Sequence, residues 1–169
     1  MPPTTREVRS GLVGGFAGGL LLGVVFAVGA GGSALQLQAT LYLTDPGVGE
    51  RWVIHLFHST AFGVLYAVVA AAFTNWYVNR LLLVTRRSKR LTVVLMPVIR
   101  RLGIGTVVAA GMGLTYGLLV WFLVASALLP ALLDTPATPV PQIHGLAVLG
   151  YVLYGLVLGV LYGLQLSRV

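Results

Sequence analysis

The sequence predicts an all-α, polytopic membrane protein with four transmembrane helices, and three observations carry that reading. Charged residues form 9% of the 169-residue chain and hydrophobic ones 57%, whereas a soluble domain carries roughly 25% charged residues. Mean hydropathy is +0.93. Four apolar stretches each reach the roughly 20 helical residues that cross about 30 Å of hydrocarbon. So few charges cannot clothe a water-soluble surface, and the chain reads as a single transmembrane domain, residues 1–169.

The first span covers about residues 11–35 and the second about 53–76. Thr44-Asp45-Pro46-Gly47 between them is a turn signal. The third span covers about 103–129 and the fourth about 143–164, separated by a stretch around Pro136, Pro139 and Pro141 that is too proline-rich for a helix. The first span reads as a retained helix, because its apolar run exceeds the roughly 7–15 residues of a signal-peptide core. The middle connection, residues 77–102, carries Arg80, Arg86, Arg87, Lys89, Arg90, Arg100 and Arg101.

Positive residues collect in cytoplasmic loops. Placing that connection and both termini in the cytoplasm puts ten of the eleven Lys/Arg inside, with only Arg51 outside. Asp45, Glu50 and Asp134 then lie outside. The expected location is a cell membrane, multi-pass, with cytoplasmic N- and C-termini. The basic connection reads as an anchor to anionic headgroups, with residues 91–101 as an amphipathic piece along the interface. It is not read as a nucleic-acid site, since no aromatic residue interleaves its arginines. Trp52 marks the outer interface, and Trp76 with Tyr77 the inner one.

Small residues recur every four positions in each span. The series are Gly11, Gly15, Gly19, Gly23, Ala27, Gly31; Ser59, Gly63, Ala67, Ala71; Gly105, Ala109, Gly113, Gly117; and Gly155, Gly159, Gly163. Residues four apart share a helix face. Lipid gives helices no hydrophobic drive to associate, so close backbone approach along such faces must supply the attraction. Glycine-zipper packing is therefore expected. Gly63-Val64-Leu65-Tyr66-Ala67 also matches Gly159-Val160-Leu161-Tyr162-Gly163, and Gly23-Val24-Val25-Phe26-Ala27 echoes Gly113-Leu114-Thr115-Tyr116-Gly117. The chain thus reads as two helical hairpins of the same orientation, a parallel repeat.

Cysteine is absent, which excludes disulfides, thiolate metal sites and cysteine nucleophiles. No carboxylate falls inside a span, which weighs against proton-coupled transport and against general acid–base chemistry. No catalytic constellation is visible, and the chain is not read as an enzyme. The chemistry-bearing candidates are His55, His58 and His144, the only histidines. His55 and His144 each stand near the outer start of a span, and His58 lies one turn below His55. His55 also heads the small-residue face of its helix, which aims it at another helix. Imidazole suits haem iron, copper or zinc. The histidines therefore either ligate haem b, ligate a Cu or Zn ion, or sit hydrogen-bonded near the headgroups to loop carbonyls, Asp134 or Glu50. Trp121 lies on the small-residue face of the third span, where it either fills the bundle or covers a bound quinone or carotenoid.

The run His55-Leu56-Phe57-His58-Ser59-Thr60-Ala61-Phe62-Gly63, with Tyr154-Gly155-Leu156-Val157-Leu158-Gly159 in the fourth span, resembles small four-span membrane proteins of halophilic archaea. The resemblance covers about half the chain. It implies a prokaryotic cell membrane and no assigned activity. The chain departs from that pattern at Tyr151, where a histidine is expected, so a ligand set completed by that histidine is not present here.

Three functional readings follow. The first is a non-enzymatic integral subunit or scaffold of a larger membrane complex, a respiratory one among them. It rests on a glycine stripe that runs the whole first span and calls for other membrane subunits, or further copies of this chain, to cover it. The second is a haem b or metal-binding electron-transfer module using the histidines. The third is a passive oligomeric pore or carrier.

Overall fold

A computed structural model describes residues 2–29, 32–123 and 145–167. Among the described residues are six helices: α1 (Thr5–Gly29), α2 (Ser33–Ala39), α3 (Val48–Arg87), α4 (Lys89–Leu102), α5 (Ile104–Val120) and α6 (Gly145–Ser167). Four of them, α1, α3, α5 with the turn after it, and α6, are long and apolar enough to cross a membrane. This is the architecture of a multi-pass, all-helical membrane protein. The part of the third span past residue 123, the proline-rich connection with Asp134, His144, Gly31 and Arg168 lie outside the described residues.

Local chemistry sets the helix ends. Thr4 and Glu7 form a capping box at the start of α1: the Thr4 N–H donates to Glu7 Oε2 at 2.7 Å, and the Glu7 N–H to Thr4 Oγ1 at 3.3 Å. The first span was expected to run to residue 35, but α1 stops at Gly29. The chain then passes through Gly32 at φ 78, whose N–H reaches back to the Phe26 carbonyl at 3.2 Å. Only glycine adopts that left-handed turn without strain. Glu50 accepts the Gly47 N–H at 2.7 Å and so caps α3.

The second span was expected to end at residue 76, but α3 continues unbroken to Arg87. No glycine or proline occurs between Gly63 and Pro97, and charge alone does not stop a helix. With 40 residues, α3 is about 60 Å long, twice the hydrocarbon thickness. The chain breaks at Ser88, turns into α4, and passes into α5 through Gly103 at φ 81.

In the bundle α1 packs on both α3 and α6, α5 packs on α6, and α3 meets α5 less extensively. Two glycine rows on α1 make this possible. Gly11, Gly15, Gly19 and Gly23 face α3, and Gly14 and Gly18 face Leu158 and Tyr154 of α6. A Cβ built on Gly15 would stand 2.8 Å from the Gly63 Cα, and one on Gly155 3.0 Å from the Gly117 Cα. Real side chains do not approach backbone that closely, so only glycine permits these spacings. One member of the third stripe does not pack this way. A Cβ on Gly105 would meet nothing within 4 Å.

Uncovered carbonyls are the second consequence. A helical side chain shields the turn before its own Cα, so a glycine four residues on leaves a carbonyl open to a second donor. The Tyr154 hydroxyl donates to Ser59 O, ahead of Gly63, at 2.7 Å. The Tyr66 hydroxyl donates to Ala109 O, ahead of Gly113, at 2.7 Å. Tyr116 donates to Phe62 O at 2.7 Å, where Tyr66 and not a glycine stands four residues on. These bonds tie α6 to α3 and α3 to α5, and the rings of Tyr66, Tyr116 and Tyr162 meet edge to face at 5.2–5.3 Å.

Gly155→Val is expected to destabilise the bundle by about 3 kcal/mol through overpacking. Gly105→Ala, in open space, changes stability by less than about 0.5 kcal/mol. Denaturant titration in mild detergent measures both, and equal effects would contradict the packing described.

Candidate functional site

Two of the three sequence-predicted histidines come together where α1 ends and α3 begins. His55 and His58 lie three residues apart on α3, one helical turn, and both face α2. His55 is 2% exposed. Between them stands Gln38 of α2, whose side-chain amide lies 3.0 Å from His55 Nδ1 and 2.8 Å from His58 Nδ1. His55 Nε2 donates to the Gly19 carbonyl of α1 at 3.0 Å. Gly19 precedes Gly23 by four residues, so this is another carbonyl uncovered by a glycine. His58 Nε2 lies 2.8 Å from the hydroxyl of Tyr42, which is 61% exposed.

Gln38 Oε1 lies at His55 Nδ1 and Gln38 Nε2 at His58 Nδ1; with that amide turned over, the hydrogens of this chain can be placed without any charge. The Tyr42 hydroxyl donates to His58 Nε2, and His58 Nδ1–H to the Gln38 oxygen. The Gln38 amide N–H donates to His55 Nδ1, and His55 Nε2–H to Gly19 O. The opposite amide orientation puts an acceptor at both His55 nitrogens and demands an imidazolium. His55 is surrounded by the rings of Phe26 and Trp52 and has His58 as its titratable neighbour. An imidazolium with no acid beside it is costly to bury. The neutral arrangement is therefore the one the surroundings support.

All four ring nitrogens are engaged, and the cavity beside them is about 20 Å³, the room of a single water molecule. As they stand, His55 and His58 turn no lone pair toward a space that would admit a porphyrin. Among the described residues no three His, Asp or Glu side chains gather where a metal ion would be held. Glu50, an expected histidine partner, caps α3 instead. Trp121 stands in the turn after α5, half-buried, with its ring 6.4 Å from Phe122. Its neighbour Val120, not Trp121, borders the small cavity. Trp52 turns inward from its expected interface position: its ring covers Gly23 and meets His55 edge-on at 6.3 Å.

Gln38 and Tyr42 were not read from the sequence as functional. The available signal was an amide in an apolar segment, Leu35-Gln36-Leu37-Gln38, which needs a partner once buried. Scans of the chain against family models, curated proteins and solved structures return no match.

Gln38→Leu is expected to cost about 1–3 kcal/mol, since it strands two imidazole nitrogens. Tyr154→Phe, removing one bond to an already paired carbonyl, is expected to cost about 0.6 kcal/mol. Denaturant titration of the two variants in detergent tests that order, and a neutral Gln38→Leu would show that the chain is not formed.

Proposed function

We propose that this chain is a non-enzymatic integral subunit, a scaffold of a larger membrane complex, and that its docking element is the helical arm projecting beyond the bundle. The arm is the last part of α3 followed by α4. It exposes Leu82, Leu83, Val84, Val93, Val94 and Met96 among Arg80, Arg86, Arg87, Arg90, Arg100 and Arg101. Val93 and Val94 are 73% and 68% exposed. Apolar surface of that extent interleaved with cations suits a protein partner or the headgroup layer. The single observation that carries the proposal is the length of α3, which exceeds what a bilayer requires by about a factor of two. The bundle itself consumes the glycine rows of α1, so the stripe no longer argues for outside partners; the arm does.

The proposal includes an orientation in a cell membrane, with both termini and the arm cytoplasmic, supported by the placement of ten of eleven cations. It also includes glycine-zipper packing in two similarly oriented hairpins, α1 with α3 and α5 with α6. Corresponding contacts support that: Gly15, against Ser59 O and the Gly63 Cα and N, parallels Gly113, against Gly155 O and the Gly159 Cα and N, and Gly19 on Ser59 parallels Gly117 on Gly155. By these contacts Gly19 answers to Gly117, whereas the sequence echo pairs Gly23 with Gly113. The same correspondence sets Tyr151 at the position of His55.

The test is native mass measurement after extraction from the producing membrane in mild detergent. The expected result is an assembly heavier than one chain, lost in Leu83→Glu/Val94→Glu while bundle stability changes little. A strictly monomeric, partner-free wild-type species would overturn the proposal.

A further inference from the structure

A cleft of about 390 Å³ opens at the end of the bundle where α1 and α5 begin and α6 ends. Its volume falls within the roughly 300–1,000 Å³ of small-molecule sites, and like them it is mostly apolar. The cause lies in the packing. Tyr66 and Tyr116 bind α3 to α5 near mid-bundle, while α5 stays on α6 throughout. Toward this end Thr74 still reaches Met112 Sδ at 3.8 Å and Tyr77 lies against Gly111, but the small residues Ala71 and Gly105 leave space between α3 and α5 unfilled. Val78 and Ile104 border it, and Tyr66 and Tyr162 line its deep end.

Charge on the chain leading into the cleft points to an occupant, since Arg100 and Arg101 come four and three residues before its lining residue Ile104. Exposed Arg100 and Arg101 end α4 immediately before Gly103, where α5 begins, and the first turn of α5 lines the cleft. No side chain caps α5, so its leading N–H groups also face outward as donors. Glu7 borders the cleft, but its carboxylate is held by the Thr4 N–H and hydroxyl at 2.7 and 2.8 Å and faces the Tyr162 hydroxyl. An apolar slot beside paired arginines matches an amphiphile with an anionic head.

We propose that the cleft seats one acyl chain of an anionic phospholipid, with its phosphate at Arg100, Arg101 and the start of α5. The inference rests on residence of the bundle in a bilayer, which the preceding reading shares, and not on the partner complex. A chain that proves monomeric would still hold this lipid.

The experiment equilibrates purified protein in mild detergent with phosphatidylglycerol or phosphatidylcholine and counts retained lipids by native mass spectrometry. One phosphatidylglycerol per chain is expected, with phosphatidylcholine retained far more weakly. Arg100→Gln/Arg101→Gln is expected to weaken retention about thirtyfold, from two near-surface charges. Gly105→Leu, whose side chain enters open space and fills the rim, is expected to abolish it. Val78→Phe is the second filler should Gly105→Leu fail to yield a monodisperse protein. Equal retention of the two lipids overturns the proposal. So does loss of lipid in the arginine variant with full retention in a filled cleft, because the headgroup then sits on the surface alone. A co-purifying protein that occupies the cleft in place of lipid overturns it as well.

Discussion

Helices that touch backbone to backbone are the constraint on which everything else in this molecule depends. In lipid the side chains of one helix gain little by leaving acyl chains for another helix, so attraction comes from dispersion at short range and from hydrogen bonds. Both require the glycines. Gly15 and Gly63, or Gly117 and Gly155, leave nothing between two main chains. The same absence of side chains opens the carbonyls of Gly19, Ser59 and Ala109 to second donors. His55, Tyr154 and Tyr66 take those places. Dispersion and polar cross-links are thus not separate devices: the missing Cβ that lets helices approach also exposes the acceptor that fastens them.

That coupling distributes roles unevenly among the helices. Because α1 carries two glycine rows, it sits between α3 and α6, while Leu12, Val13, Phe16, Leu20 and Val24 face outward. The pairing of α5 with α6 also runs over glycines, Gly113 and Gly117 against Gly155 and Gly159. The contact between α3 and α5 rests instead on tyrosine hydroxyls and rings. Tyrosine reaches across a wider gap than glycine leaves, so this side of the bundle is held at points. The cleft lies past Tyr66 on this side, where Thr74 and Met112 line it and still touch.

Much of the fold was legible in the sequence because lipid constrains it strongly: four apolar stretches, separated by turn residues and a charged segment, fix four helices. The inward aim of His55 was legible too, from its place at the head of a small-residue face. Less legible were features decided by tertiary distance. The row formed by Gly14 and Gly18 is hidden beside the stronger period of Gly11, Gly15 and Gly19, and only a second packed neighbour reveals it. The continuation of α3 past Trp76 was obscured because arginines look like a loop on a hydropathy scale, while helix termination needs glycine, proline or a capping turn. Gly105 fits its stripe perfectly and yet packs on nothing, because periodicity fixes a face and not the distance to the next helix.

The histidine chain shows the same division between residue and setting. A helix of seven residues such as α2 has no stability of its own. Burial of Leu35 and Ala39 holds one side of it against the bundle, and Gln38 fastens the other. That amide answers His55 and His58 at once, and His55 in turn answers a carbonyl of α1. Three helices thereby share one neutral polar chain, ending at an exposed tyrosine. In this arrangement the imidazoles are used for their paired donor and acceptor, a combination in which a lysine or a carboxylate would bring a charge.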